Sequence, residues 1–188
     1  MSSLIHRVNE PQLFIDANTL DLLDPETMET GVLDHTDNGL VAVTDQGAAA
    51  IVTATESGHI HVTVELWDGT PPLHLDDWQD AAEISISWTG QRMELGCDPD
   101  DAPHLDLPPG SYRLLAHGRG RDSGDVEGGD PPETYLLQLW PAPAQKPVVH
   151  KATSHYGASI RSPDTTPKGW PAWMTPDEIA AIRAARGQ

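Results

Sequence analysis

The residues of this 188-residue chain best suited to chemistry lie in GHIHVTVELWDG, positions 58 to 69. Read with a period of two, His59, His61, Thr63, Glu65 and Trp67 fall on one face of a strand. Ile60, Val62, Val64 and Leu66 fall on the other. Two imidazoles and a carboxylate on one strand face form a donor set suited to a divalent transition metal. The same alternation is also that of a half-buried strand whose polar side meets water. Metal site and wet strand face are therefore both open.

Other chemistry is poorly represented. There is no GxGxxG, P-loop, GxSxG elbow or CxxC in the chain. The stretch DPDDAPHLD carries acids at Asp98, Asp100 and Asp101, but lacks EF-hand spacing and a terminal glutamate. Cys97 is the single cysteine, which rules out an intramolecular disulfide. Its acidic neighbours raise a thiol pKa and argue against a nucleophile.

Charge is the strongest global signal. The chain has 11 basic and 29 acidic residues, a net of −18. Residues 1–145 hold 5 basic and 26 acidic side chains, a net of −21, whereas 146–188 carry a net of +3. So acidic a body repels nucleic acid and anionic lipid and attracts a basic protein, unless the charge serves solubility alone. The N-terminus has no apolar run of signal-peptide type and no segment approaches 18 apolar residues, so a soluble, cytoplasmic protein is expected.

The elements that must position these residues read as short strands between turns. Strands are expected at 11–16, at 39–44 and 48–54 as a hairpin, and at 59–67. A further strand around 83–88 turns through TGQ into RMELG, followed by SYRLLAHG and by TYLLQLWP ending at Pro141. Residues 118–133 read as a flexible polar loop with almost nothing to bury. The fold class is therefore all-β, an antiparallel β-sandwich or small barrel over residues 1–145. Residues 146–188 form a basic Pro-rich arm, lying over the body or hanging free. A short C-terminal helix begins at Thr175, which pairs with Glu178 as a capping box, and Trp170 and Trp173 lie ahead of it as anchors.

Two family resemblances follow from these residues. The His59-x-His61-x-x-x-Glu65 spacing resembles the first motif of the cupins, which implies a metal site with a fourth ligand. Arg113 of PPGSYR stands where that ligand would be and has no lone pair to offer, so His117 or water would take the role. Residues 71–144 resemble a bacterial family of small β-sandwich proteins similar to the competence-associated inhibitor of the DNA-entry nuclease. The resemblance rests on Trp78, Glu83, Gly110, Tyr112, Arg113, Glu133, Tyr135, Gln138, Trp140 and Pro141. It implies a sandwich fold and an inhibitor or immunity-type module.

Structural roles are expected at several of these positions. Gly110 would permit the turn into its strand, Tyr112 would pack, and Trp140 would fill the sandwich interior. Arg113 would either brace against a carboxylate such as Glu83 or Glu133, or receive an anionic ligand. The reading favoured is a non-catalytic binding protein without a cofactor, engaging a basic protein partner through Asp98, Asp100, Asp101, Asp122, Asp125 and Glu127, with Trp67 and Trp78 as anchors. The alternatives are a cupin-like metalloprotein or enzyme, and a module whose arm docks on another subunit. Oligomeric state is open.

Overall fold

A computed structural model describes residues 2–26, 36–44, 48–96, 102–123 and 132–161. They build two packed sheets. The larger contains β1 (Leu4–Ile15), β5 (Gly58–Trp67), β6 (Asp80–Trp88), β9 (Gly110–Arg119), β10 (Thr134–Pro141) and β11 (Val148–Ala152), in the order β1-β5-β10-β9-β6-β11. The smaller contains β2 (Thr19–Leu23), β3 (Val41–Val43), β4 (Ala49–Val52), β7 (Arg92–Leu95) and β8 (His104–Asp106), in the order β3-β4-β2-β7-β8. A short helix, α1 (His155–Ile160), follows β11. This is the all-β sandwich expected, and it does not close into a barrel.

The period-two alternations decide which faces meet. Ile60, Val62 and Val64, Ile84 and Ile86, Leu114 and Ala116, and Tyr135, Leu137 and Leu139 all point from the larger sheet into the core. There they meet Leu20, Leu22, Ile51, Met93 and Leu95 of the smaller sheet. Burial of this apolar set is the main stabilising term, at roughly 25 cal/mol per Å² removed from water.

The connections differ from the sequence reading in three ways. First, β5 pairs with β10 in parallel, although the other pairings within the two sheets are antiparallel. Since β10 and β9, and β9 and β6, are antiparallel, β6 runs parallel to β5 with two strands between them. A tight turn cannot join parallel strands, so residues 68–79 cross the outer face of the larger sheet. Second, the turn TGQ does not close a hairpin. It carries the chain from β6 in one sheet to β7 in the other, with Gly90 packed so tightly on Asp24 that a Cβ there would lie 2.6 Å from the carboxyl. Third, Val148–Ala152 of the Pro-rich segment pairs antiparallel with β6 as the sixth strand of the larger sheet. The helix expected from Thr175, with Trp170 and Trp173, lies outside the described residues.

The stretch read as a loop with nothing to bury holds a buried clamp. Arg121, fully buried two residues after β9, pairs with Asp80 at the start of β6. It also donates to the Val52 carbonyl of the smaller sheet at 2.9 Å and lies 5.2 Å from the Tyr156 ring of α1. Asp80 accepts in addition from the backbone N–H groups of Thr153 (2.9 Å) and Ser154 (3.1 Å) and from the Ser154 hydroxyl. Ser154 in turn caps α1 by accepting from the Gly157 N–H at 2.9 Å. Tyr156 completes the attachment by donating its hydroxyl to the Thr53 carbonyl at 2.7 Å. One ion pair thus holds both sheets and the helix together.

Removing one partner of a buried pair strands the other charge, at a cost of about 3–5 kcal/mol. Arg121→Met is therefore expected to lower unfolding stability by about that amount in urea titrations. A midpoint indistinguishable from the parent chain would show that the clamp contributes nothing.

Candidate functional site

The face of the larger sheet turned away from the core carries the chemistry. In strand register, Arg7 of β1 lies beside Glu65, Glu65 beside Gln138, Gln138 beside Leu115, and Leu115 beside Glu83. The next row is Asn9, Thr63, Leu136, His117 and Ala81, and the one after it runs His61, Thr134, Arg119. The 68–79 connection roofs part of this face. Trp78 lies with its ring centroid 5.3 Å from that of His117, and Lys151 of β11 donates to the Leu75 carbonyl at 2.8 Å. The uncovered part is a groove of about 460 Å³ lined by Arg7, Asn9, His61, Thr134, Trp78 and Arg119, among others.

The strand face read as either a metal site or a wet face is engaged largely by other residues of the fold. Glu65 is buried, and its carboxylate is fully engaged. Oε1 accepts from Arg7 Nε at 2.9 Å and from Arg7 Nη2, and Oε2 accepts from Gln138 Nε2 and Trp67 Nε1, each at 2.8 Å. Burial alone would raise its pKa. The donors Gln138, Arg7 and Trp67 and the Arg7 charge outweigh it and hold the carboxyl below its usual range. His61 Nε2 lies 3.0 Å from Asn9 Oδ1, which also accepts from the Thr63 hydroxyl. His59 is exposed at the strand's start, its ring edge-on to Phe14 at 5.5 Å. Among the described residues, no three His, Cys, Asp or Glu side chains group together as a metal site.

His117, the alternative fourth ligand, is buried under Trp78 in the row beside that of His61 and two strands away. Its Nδ1 lies 3.3 Å from the Leu136 carbonyl, and its Nε2 has no partner. Desolvation pushes its pKa down to about 4, so the ring is neutral at pH 7.

The acidic and aromatic candidates fall into two groups. Asp98, Asp100, Asp101, Asp125 and Glu127, like Cys97, lie outside the described residues. Asp122 is exposed and works within the fold, accepting from the backbone N–H groups of His155 (3.1 Å) and Tyr156 (2.9 Å) at the start of α1. Trp67 is half-buried and tied to Glu65, and Trp78 is half-buried on His117.

The residues shared with the nuclease-inhibitor resemblance have structural work. Arg113 braces Glu83 at 2.6 Å, as one of the two expected carboxylates, and also donates to the Ser85 hydroxyl (2.7 Å) and the Gln145 carbonyl (3.0 Å). Glu133 instead accepts from the Ala54 and Thr55 N–H groups and from the Tyr135 hydroxyl. Trp140 is buried, but in register with Arg113 on the outer face and not in the sandwich interior. Gly110 is not left-handed; the ring of Tyr112, whose hydroxyl donates to the Pro108 carbonyl at 2.8 Å, folds back over it and leaves little room for a Cβ.

Sequence reasoning missed Arg7, Asn9, Thr134 and Arg119. The alternation Arg7-Val8-Asn9 carried a signal for the first two. Arg119 carried none, because only the β9–β10 register sets it beside Thr134.

No protein-family model matches the chain, and no curated protein matches it in sequence. Among solved structures, it is similar to ComJ, inhibitor of the DNA degrading activity of NucA, from Bacillus subtilis. That match has a TM-score of 0.54 at 14% identity and covers 76% of this chain and 99% of ComJ. Crocagin biosynthetic gene J is a further neighbour, with a TM-score of 0.48 at 16% identity over 74% of this chain and 100% of that one. At these identities the likeness is one of fold: the chain has a ComJ-like fold.

The buried histidine predicts a pH dependence. Unfolded, an imidazole binds its proton near pH 6.5; His117 in the fold does so only near 4. Between these values the unfolded chain holds more protons, so stability is full above about pH 6.5 and falls as pH drops toward 4. The expected loss is about 3 kcal/mol across that window, measured as urea midpoints against pH. His117→Gln should flatten the slope; an unchanged slope would remove His117 from the account.

Proposed function

We propose that this protein is a non-catalytic binding protein, of inhibitor or immunity type, whose acidic surface engages a basic protein partner such as a nuclease or toxin. One observation carries the reading: all but one of the arginines of residues 1–145 are neutralised by the protein's own carboxylates. Of the five arginines in residues 1–145, Arg7, Arg92, Arg113 and Arg121 pair with Glu65, Glu94, Glu83 and Asp80. Arg119 stacks on Trp78. Three of the four paired carboxylates are buried, whereas Asp16, Asp37, Glu56, Asp76, Asp77 and Asp106 are among those left exposed. The field outside the molecule is therefore set by carboxylates.

Such a field raises the association rate of a cationic partner and repels nucleic acid. The roofing connection joins charge to an apolar anchor, since Leu73 is 47% exposed beside Asp68, Asp76 and Asp77. Burial of Leu73, and of the exposed part of Trp67, would convert steering into affinity. The ComJ-like fold supports the inhibitor type, ComJ being an inhibitor of the DNA degrading activity of NucA. The fold alone does not select that function, because one fold hosts many. The proposal needs no cofactor and places the protein in the cytoplasm. No helix among the described residues is long and apolar enough to cross a membrane.

The test is binding to a panel of basic nucleases and toxins by surface plasmon resonance. A true partner should lose affinity about tenfold or more between low and physiological salt, mainly through a slower association rate. Asp76→Asn with Asp77→Asn should lower that rate further. Binding that ignores salt, or no binding to any basic partner, would overturn the proposal.

A further inference from the structure

The groove on the outer face carries the opposite charge from the rest of the surface. Arg119 is, among the described residues, the one arginine of the first 145 with no carboxylate partner. Its guanidinium is exposed but not loose, lying 5.3 Å from the Trp78 ring centroid. Stacking of this kind fixes the direction of the fork at little further entropic cost on binding. Among the described residues, Glu65 is the only carboxylate lining the groove, and both its oxygens are held by Arg7, Gln138 and Trp67. It is not available to Arg119. Among the described residues, the groove therefore holds two guanidinium groups and one committed carboxylate, in a body whose net charge is −21.

We propose that this groove receives a carboxylate, bound by the Arg119 fork and supplied by an acidic side chain of the protein partner. The inference rests on the binding function proposed above and adds a contact of reversed polarity to it. The neighbours suit the ligand. Thr134 sits directly across the strand pair from Arg119, and His61 directly across from Thr134 one strand further, so a hydroxyl and an imidazole line the same groove as the fork. A planar carboxylate matches a guanidinium with two parallel N–H···O bonds. A phosphate dianion would meet twice the repulsion from the surrounding acids, which favours the monoanion. One cationic socket in an acidic face also rejects misaligned basic partners, because a wrong register would set like charges together.

The experiment titrates ¹⁵N-labelled full-length protein with acetyl-aspartate-amide, its neutral isostere acetyl-asparagine-amide, and inorganic phosphate. The readout is the Trp78 indole N–H resonance, assigned with Trp78→Phe. We expect a saturating shift with the aspartate probe at a dissociation constant on the order of 1 mM. It should be absent with the asparagine probe, at least about tenfold weaker in Arg119→Gln, and unchanged in Arg92→Gln, whose arginine pairs with Glu94. No saturable shift, an equal response to the asparagine probe, or persistence in Arg119→Gln would overturn the proposal. Tighter binding of phosphate than of aspartate would overturn the assignment to a carboxylate. Salt-dependent partner binding that Arg119→Gln leaves intact would sink this inference while the proposed function stands.

Discussion

The rest of the structure depends on the burial of Arg121. A guanidinium is costly to take out of water without a counter-charge, which Asp80 supplies here, with acceptors for Nη1 and Nη2 and none for Nε among the described residues. Here the requirement brings four chain segments to one point: the end of β9, Asp80 at the start of β6, the Val52 carbonyl of the second sheet, and the Ser154 turn into α1. The same point leaves no space for a side chain at residue 157. A Cβ on Gly157 would stand 2.9 Å from Arg121 Nη1 and 2.7 Å from Ser154 Oγ. The sandwich is thus pinned at one end by a polar cluster, while its middle is held by ordinary apolar interdigitation.

A second consequence is electrostatic. The fold ties four of the five arginines of residues 1–145 to carboxylates and leaves Arg119 stacked on Trp78, so structural and functional charge are separated. Glu65, Glu83, Glu94 and Asp80 serve the scaffold, and the acids on loops and on the roofing connection face solvent. The outer face of the larger sheet is the meeting ground of the two populations. Its polar rows are covered only partly by residues 68–79, because a connection between parallel strands has to run the length of the sheet and leaves one flank open.

Much of the fold was legible in the chain. The alternations in 59–67, 83–88 and 112–117 identified both the strands and the faces they turn inward, since period two needs no tertiary information. In 134–140 the strand was legible, but Trp140, expected in the interior, lies on the outer face. A carboxylate brace for Arg113 was legible from its charge and face, but the choice of Glu83 over Glu133 came from the β6–β9 register. The loop reading of 118–133 failed at both ends, where Arg121 and Glu133 are buried. Composition scores charge as solvent-seeking, and nothing local reports that a partner waits at Asp80 or at the Ala54 and Thr55 N–H groups. The strand Val148–Ala152 was missed similarly, because its two exposed valines give it no alternation and its hydrogen bonds come wholly from the free edge of β6.

By itself, then, the sequence determined the class of the fold, the inward faces of its regularly alternating strands such as 59–67 and 83–88, and the sign of its surface, all properties that follow from local periodicity and from counting. Tertiary structure alone decided which strands became neighbours, and therefore what the polar face of residues 59–67 does. A histidine–glutamate set is a metal site only if its lone pairs converge on one point. Here Arg7 from β1 and Gln138 from β10 claim Glu65, and Asn9 takes His61. Those partners come from strands distant in the chain, and no short-range pattern encodes their register.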